Sequence, residues 1–308
     1  MLHADFWQPN NFGALPKPYS DFSYAKIAVL PIPYEVSTSY IPGTRLGPQA
    51  IIAASSQVEL YDEELDAEPY EAGICTLNNL EPDLTSPQSM CRRIAQVAGW
   101  LVEQGKFPVA LGGEHTVSLG MVQGLLPHYP NLSVLQLDAH ADLRDEYQGS
   151  PYSHACVLRR IREIVPMVQQ VGIRNLSRAE ADFVKEHNLK LHYALNIVQE
   201  SGWIDEVIAR LTDPVYITLD LDVFDPGIMP AVGTPEPGGL GWYQVLALLR
   251  RVFQQRKVIG FDVVELAPLS GNAGPDFMAA KLIYKMIGYL LNTIQSSSST
   301  LLGSRSGL

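Results

Sequence analysis

Hydrophobic and polar positions divide this chain into two kinds of segment that alternate along its length. Short apolar or β-branched runs, bounded by Pro, Gly, Asn or Asp, predict buried strands. These runs are Lys26–Pro31, Phe107–Leu111, Leu132–Asp138, Met167–Ile173, Val215–Asp222 and Lys257–Val264. Apolar residues at three- and four-residue spacing predict amphipathic helices in other segments, most clearly Gly241–Gln255, Ser89–Gln104 and Asp276–Asn292.

The order of these segments predicts an α/β fold. Continuously apolar strands that alternate with amphipathic helices are typical of a parallel sheet covered on both faces. We therefore expect residues 1–308 to form one domain, a three-layer α/β/α sandwich with a mostly parallel central sheet and right-handed crossovers. Two ends look irregular: residues 1–24 carry many Pro, Asn and aromatic residues, and the Ser/Gly-rich stretch 296–308 is predicted to be disordered.

Composition and charge narrow the class of partner. The 308 residues are 46% hydrophobic, enough for a large core, and carry a formal net charge of −11. Nucleic acids and anionic membranes attract basic patches, and because no such Lys/Arg cluster occurs we expect neither partner. No segment reaches the roughly 18 apolar residues of a membrane span, and the first residues lack the pattern of a secretion signal. We expect a cytoplasmic protein.

Several reactive or charged residues carry no chemistry in this interpretation. The three cysteines form no C-x-x-C pair and are interpreted as reduced thiols: Cys75, Cys91 and Cys156. Four histidines are interpreted as surface residues: His3, His128, His187 and His192. An acidic run is interpreted as a solvated face: Asp62, Glu63, Glu64 and Asp66.

Other polar residues collect where four predicted strands end. The groups are Gly112-Gly113-Glu114-His115-Thr116, Asp138-Ala139-His140-Ala141-Asp142, Asp220-Leu221-Asp222, and Glu265. In open α/β sheets, ligands bind beyond the carboxyl ends of the strands. Residues two apart in a strand share a face, so Asp138 is expected to point the same way as His140, and Asp220 the same way as Asp222.

These carboxylates and imidazoles predict a metal site. Several carboxylates buried together cannot all stay ionised without a cation. The mixed nitrogen and oxygen set suits Mn²⁺ or a related divalent ion such as Ni²⁺, and six ligands with some bridging suffice for two ions. The predicted ligands are His115, Asp138, His140, Asp142, Asp220 and Asp222. Taken singly, each aspartate is also compatible with a cap or turn and His115 with a core histidine; the joint occurrence on separate strands favours metal.

Together these motifs resemble those of the ureohydrolase family, which includes arginases and agmatinases. The resemblance runs from Gly43–Pro48 to Asp262–Glu265, and it also includes Ser153-His154, Asp220–Pro226 and Gly233–Gly239. The family's first motif usually has Asp where this chain has Glu114. That position is not expected to bind metal, so the change leaves the predicted site intact.

The resemblance implies a binuclear manganese hydrolase that releases urea from a small cationic guanidino compound. One Mn²⁺ would bind the set His115, Asp138, Asp142 and Asp220, and the other would bind His140, Asp138, Asp220 and Asp222. A hydroxide between the ions would attack the guanidinium carbon, and Asp142 would relay its proton to the leaving amine. Glu265 would hold the guanidinium and His154 would shuttle protons. A homo-oligomer, trimer or hexamer, is also implied.

Agmatine is the expected substrate, with putrescine and urea as products. Arginases hold the amino-acid head group with an S-G-N-x-H-G pattern, which is missing between Asp142 and His154. The segments Ser153–Val157 and Thr234–Pro237 resemble the agmatinase branch. The terminal ammonium has candidate partners in the acidic pair 145–146, which is equally compatible with solvated loop charges. Guanidinobutyrate, guanidinopropionate, arginine and free guanidine stay open as substrates.

Two other classes also stay open. Zinc-dependent deacetylases share the fold type but use one metal and fewer carboxylates, so the six-ligand set argues against them. A non-enzymatic metal-binding subunit would be expected to have lost a ligand, and none of the six is lost. Outside the resemblance, Glu265 can simply pair with an arginine and His154 can simply cap a helix.

Overall fold

The computed structural model describes residues 8–303, with side chains described as far as residue 292. The strands of this part of the chain, β1 to β8 in order, are Ile27–Ile32, Ile74–Thr76, Phe107–Gly112, Ser133–Leu137, Met167–Ile173, Leu191–Tyr193, Val215–Asp220 and Val258–Val264. They form one sheet in the order β2-β1-β3-β8-β7-β4-β5-β6. Every neighbouring pair is parallel. The six predicted strands are therefore confirmed, whereas β2 and β6 were missed because three residues are too few to show a pattern.

The α-helices of the same residues, α1 to α9 in order, are Gly47–Ser55, Pro87–Glu103, Val117–Leu125, Val157–Arg162, Arg178–Glu186, Ala194–Gln199, Trp203–Arg210, Trp242–Gln255 and Gly274–Gly303. The three predicted helices correspond to α2, α8 and α9. In α8 the apolar positions Val245, Leu249 and Val252 are all buried, as their spacing predicted. The missed helices are short, and α3 is buried on nearly all sides, so it has no polar stripe to reveal its period.

The helices cover both faces of the sheet. Alternate residues of β1 enter two separate hydrophobic clusters: Ile27 and Val29 belong to one, and Ala28 and Leu30 to the other. The first cluster contains buried residues of α1, α7, α8 and α9, and the second contains buried residues of α2, α3, α4 and α5. The predicted three-layer α/β/α architecture is confirmed.

The ends of the chain bear on two predictions. Residues 8–24 contain a short 3-10 helix, Phe12–Ala14, and turns, while residues 1–7 lie outside the described part. Helix α9 extends to Gly303 and so includes 296–303, where we predicted disorder. A helix whose first turns already exist can propagate without a further nucleation cost, which accounts for the difference. Residues 304–308 lie outside the described part. No helix in residues 8–303 combines the length and hydropathy needed to cross a membrane.

Two predictions about surface residues are wrong. Asp62 is completely buried, because its carboxylate pairs with the ammonium group of Lys285 at 2.9 Å. His192 lies in β6 with only 5% of its surface exposed, and its Nε2 atom is 3.4 Å from the side-chain oxygen of Gln169. His128 and His187 are exposed as predicted, and His3 lies outside the described residues. All three cysteines are buried and unpaired.

The predicted polar clusters meet at one edge of the sheet. The strands β3, β8, β7 and β4 are consecutive neighbours in the middle of the sheet, and each is followed or ended by one cluster. Gly113 makes the turn after β3 possible, since a Cβ atom there would lie 2.1 Å from the carbonyl oxygen of Tyr34. The sheet therefore brings distant residues into one cleft, such as His115 and Glu265, which are 150 positions apart.

Candidate metal centre

One half of the cleft is organised around the imidazole of His115. Its Nδ1 atom faces carboxylate oxygens of Asp138 at 3.1 Å, Asp142 at 3.2 Å and Asp220 at 3.5 Å. His115 is 1% exposed, and Nδ1 has no partner with hydrogen-bond geometry among the described residues. A buried nitrogen lone pair surrounded by three carboxylates is the donor set of a divalent cation.

The second half of the cleft is organised around His140. The Nδ1 atom of His140 lies 2.8 Å from Asp222 and 3.6 Å from the second oxygen of Asp138. Two groups of ligand atoms are thus close enough to hold a metal, one from His115, Asp138 and Asp220, the other from Asp138, His140 and Asp222. The two groups share Asp138, which presents a different oxygen to each histidine.

The backbone places these ligands by turns rather than by the strand pleat that we predicted. Strand β4 ends at Leu137, and the peptide N–H of His140 donates a hydrogen bond to Asp138 at 2.5 Å. Strand β7 ends at Asp220, whose carboxylate accepts the N–H of Asp222 at 2.8 Å and caps a 3-10 turn. After each strand, an aspartate side chain therefore accepts a backbone N–H two residues later, and the turn that this bond closes orients the ligands.

The electrostatics of the protein alone fit a cation site. Burial and then the neighbouring charges of Asp222 and Asp138 raise the pKa of Asp220 well above its usual value. Burial, followed by the charge of Asp138, raises the pKa of Asp142 to about 7. Burial would also raise the pKa of Asp138, but the close imidazoles of His115 and His140 outweigh burial and lower that pKa. A positive charge between these groups would relieve the repulsion.

Two residues of the site hold left-handed backbone conformations. Asp142 has φ of 51° and Glu265 has φ of 66°, a region that costs a non-glycine residue about 1–3 kcal/mol. Glu265 is held there because its N–H donates to Gly113 and its carboxylate accepts the N–H of His115 at 2.7 Å. Burial and then the charge of Glu114 raise the pKa of Glu265. The Glu265 carboxylate is thus fixed next to the ligands without ligating in either group.

His154 lies at the start of a 3-10 helix and lines the same cleft. Its Nδ1 atom is 3.1 Å from the hydroxyl of Ser37 and its ring packs edge-on against Tyr147. Burial lowers the pKa of His154 and so favours the neutral ring. The structure therefore brings all eight predicted site residues to one cleft, whose lining includes His115, His140, Asp142, Asp220, His154 and Glu265.

The cleft has a volume of about 180 Å³ and a second acidic end that sequence reasoning missed. Glu236 lines this end, accepts a hydrogen bond from the side-chain amide of Asn175, and lies 3.8 Å from His140. Asp145 and Glu146 do not line the cleft; Asp145 is largely exposed and pairs with Arg160 at 2.5 Å. The sequence did contain a signal for Glu236, because this Glu stands between two prolines in Thr234–Pro237. We interpreted that segment only as a resemblance to the agmatinase branch.

The half-buried guanidinium of Arg174 connects the acidic end of the cleft to the candidate metal ligands. Arg174 donates through Nη2 to the carbonyl oxygens of Asp222 and Glu236, each at 2.7 Å, and more weakly to that of Phe224 at 3.3 Å. Its Nε atom donates to the carbonyl of Pro237 at 3.1 Å. One side chain therefore joins the turn that carries a metal ligand to the loop that carries Glu236.

Comparison with known proteins agrees with this geometry. The arginase family model matches residues 25–288. The chain is 42% identical to the N(1)-aminopropylagmatine ureohydrolase of Synechocystis sp., over 91% of this chain and 96% of that protein. It is 41% identical to the Thermus thermophilus protein of the same name, over 90% and 93%. The structure of agmatine ureohydrolase of Thermoplasma volcanium aligns with a TM-score of 0.85 and 29% identity, over 95% and 98%. The chain therefore belongs to the arginase family and is an agmatinase-like ureohydrolase.

Proposed function

We propose that this enzyme uses two Mn²⁺ ions to release urea from N1-aminopropylagmatine, with agmatine as the second candidate substrate. The observation that carries the proposal is the pair of ligand groups that share Asp138, placed beside the buried carboxylate of Glu265. When bound, a pair of divalent ions would lower the pKa of a water molecule and so supply the nucleophile. The six predicted ligands would hold the ions: His115, Asp138, His140, Asp142, Asp220 and Asp222.

The order of the two substrates rests on the relatives. The Synechocystis and Thermus relatives, each more than 40% identical, are named for N(1)-aminopropylagmatine, whereas the solved structure named for agmatine is 29% identical. Both compounds carry a guanidinium at one end and at least one amine beyond a four-carbon chain. Because they differ only beyond the reacting group, the same catalytic residues serve either.

Three residues of the chain would bind the substrate and move protons. Glu265 would accept hydrogen bonds from the guanidinium, and its fixed rotamer would keep the carbon close to the metal ligands. Asp142 would take the proton from the attacking water and pass it to the leaving amine. His154, whose ring lines the same cleft, would exchange protons between the amine and solvent.

The far end of the substrate would meet Glu236. This side chain is 32% exposed, lines the cleft, and lies 3.8 Å from Nε2 of His140. Glu180, the cleft carboxylate to which neither metal nor guanidinium binding is assigned, already accepts N–H groups of Leu143 at 2.9 Å and Ser177 at 2.6 Å. Glu236 is therefore the better partner for an ammonium group.

Urea release tests the proposal. Purified protein loaded with Mn²⁺ would be given N1-aminopropylagmatine, agmatine, arginine, guanidinobutyrate, guanidinopropionate and guanidine, and kcat/KM would be measured for each. We expect N1-aminopropylagmatine first, agmatine second, and arginine at least about 10²-fold lower than the better of the two, because its carboxylate would enter a cleft lined by Glu180 and Glu236, where the guanidinium of Arg144 already lies 3.8 Å from Glu180. A faster reaction with arginine or guanidinobutyrate would overturn the substrate assignment, and fewer than two bound ions per chain would overturn the binuclear centre. We also propose a trimer or hexamer, which light scattering would test.

A further inference from the structure

Glu114 is a completely buried carboxylate to which the proposed reaction gives no role. Its Oε2 atom accepts the backbone N–H groups of Val36 and Ser37, both at 2.6 Å. Its Oε1 atom accepts the hydroxyls of Ser37 at 2.8 Å and Thr116 at 2.7 Å. Four donors around one carboxylate mean that the ionised group acts only as an acceptor.

Ser37 connects this carboxylate to the cleft. Its hydroxyl oxygen accepts the backbone N–H of His154 at 2.9 Å and lies 3.1 Å from Nδ1 of the same residue. A serine hydroxyl has one proton to donate and two lone pairs to accept with. Because the proton of Ser37 goes to Glu114, the contact with the ring requires that Nδ1 of His154 carry a proton and donate it.

We propose that Glu114, acting through Ser37, is a positioning residue that fixes His154 as the tautomer protonated on Nδ1 and bare on Nε2. Among the described residues, Nε2 of His154 has no hydrogen-bond partner, and the ring lines the cleft. A neutral imidazole in this tautomer can accept a proton on Nε2 and return it from the same atom, as a proton shuttle must. The catalytic meaning of this inference rests on the proposed function, but the tautomer itself does not.

A second hydroxyl near the ring offers the competing arrangement. The Oγ atom of Ser153 lies 3.3 Å from Nδ1 of His154, and it could donate to that nitrogen if the nitrogen were bare. The Ser37 contact is the shorter of the two, and its direction is fixed by a carboxylate, which binds a proton donor more strongly than a neutral acceptor does. The two arrangements differ in which serine controls the ring.

Substituting Glu114 by Gln reverses the direction of the chain of hydrogen bonds without changing its shape. The amide oxygen of Gln can still accept the two backbone N–H groups, while its NH₂ group donates to Ser37. The Ser37 proton is then free to donate to Nδ1 of His154, which favours the opposite tautomer. All the groups stay paired, so E114Q is expected to fold like the wild type.

Nuclear magnetic resonance of ¹⁵N-histidine-labelled, full-length protein tests the tautomer directly. Zn²⁺, which is diamagnetic, would replace Mn²⁺, and the signals of His154 would be identified by their loss in H154N. We expect Nδ1 protonated in the wild type and in S153A, and a shift towards Nε2–H in E114Q. A wild-type ring protonated on Nε2, an unchanged tautomer in E114Q, or a switch in S153A would each overturn the proposal.

A double-mutant cycle tests the catalytic consequence. If Glu114 acts through His154, E114Q should lower kcat by about 10-fold or more, a part of the roughly 10²–10⁴-fold that a general acid–base residue contributes, with KM and metal content unchanged. The same substitution should have little effect in an H154N background, because coupled residues are not additive. An equal loss in both backgrounds would show a merely structural role and overturn the inference. If the wild type releases no urea at all, the proposed function fails while the spectra still decide the tautomer.

Discussion

The Nε2 atom of His115 lies 2.8 Å from the hydroxyl oxygen of Thr218. That hydroxyl also lies 2.7 Å from Oδ1 of Asp262, to which it donates its proton. Thr218 therefore accepts from Nε2–H of His115, and the lone pair of Nδ1 is directed at the three aspartates. The relationship fixes the tautomer that a metal requires, as second-layer carboxylates commonly do for ligating histidines.

Replacing Thr218 by Val should weaken metal binding. The substitution keeps the shape of the side chain but removes the acceptor for Nε2–H, so we expect the Mn²⁺ affinity to fall by about 10–100-fold. Calorimetric titration of metal-free protein with Mn²⁺ would measure the change. Ser118→Ala is the matched control, since the Ser118 hydroxyl lies 3.0 Å from the same hydroxyl, and the hydrogen bond from Ser118 to the carbonyl of His115 uses the backbone N–H, which alanine keeps. An unchanged affinity in T218V would contradict this role.

Removal of the ligand that both groups share should release more metal ions than removal of a ligand that belongs to one group. Asp138 belongs to both ligand groups and Asp222 to one. We therefore expect Asp138→Ala to lose both ions and nearly all activity, and Asp222→Ala to keep one ion. Metal analysis of the dialysed proteins would count the ions, with the exposed Asp145→Ala as the control. Two ions at full occupancy in D138A would show that the sharing is wrong.

Glu265 should matter for the substrate and not for the metal. Glu265→Gln keeps the shape of the side chain and can still accept the N–H of His115, so both ions should stay bound. It removes the charge that pairs with guanidinium, and we expect kcat/KM to fall by about 10²-fold, or roughly 3 kcal/mol. Steady-state kinetics and metal analysis would be compared with Glu146→Gln, which lies outside the cleft lining. Near-normal turnover in E265Q would exclude the anchoring role.

The sheet and the position of the candidate metal ligands at its edge could be predicted from the sequence because both depend on local signals. Each ligand follows a buried strand directly, and parallel strands bring their carboxyl ends together. The other parts of the site depend on distant partners: Ser37 reaches Glu114 across 77 positions, and no periodicity reports such a pair. Asp62 looked like surface charge because its partner is 223 positions away. The alternatives of a deacetylase or a non-enzymatic subunit are set aside by the family match, not by the pattern.

Glu236 should determine how well the enzyme binds the amine of its substrate. Glu236→Gln removes a partly exposed charge, so we expect KM for agmatine and its aminopropyl derivative to rise by about 5-fold, equivalent to about 1 kcal/mol. Butylguanidine, which has no amine, should show no change in the same variant. If KM rises equally for butylguanidine, Glu236 acts on the site as a whole and not on the ammonium.

Lys285 should stabilise the fold by neutralising buried Asp62. The two side chains are 3% and 0% exposed, and Lys285→Met would leave a carboxylate without its cation, at a cost of about 3–5 kcal/mol. Urea denaturation of both proteins would measure the difference. Lys281→Met, which removes a weaker contact to Glu63 at 3.8 Å, is the matched control. Equal stability of K285M and the wild type would show that the ion pair contributes nothing.

The advantage of Lys285 should also depend on pH. Burial opposes its charge, but Asp62 and Glu64 raise the pKa of Lys285 above 10.5, so this contribution is complete below pH 10.5 and is lost as pH rises through the folded value. Burial likewise opposes the charge of Glu64, yet Lys285 and Tyr289 lower its pKa below 4.5. That contribution is complete above about pH 4.5 and is lost as pH falls through the folded value. The gap between wild type and K285M should be widest between these limits, and a gap independent of pH would contradict the ionic origin.

The hydrogen bonds of Arg174 have a consequence for attempts to redesign this enzyme. The same guanidinium binds the carbonyl of Asp222, in the turn that carries a candidate metal ligand, and that of Glu236, in the loop that we propose meets the far end of the substrate. A loop exchange that shifts 234–237 would pull on the turn at 222 through this one side chain. Substrate range and metal affinity are therefore not independent design variables here. Variants selected for new guanidino compounds would need either side-chain changes on an unmoved loop or a compensating change at position 174.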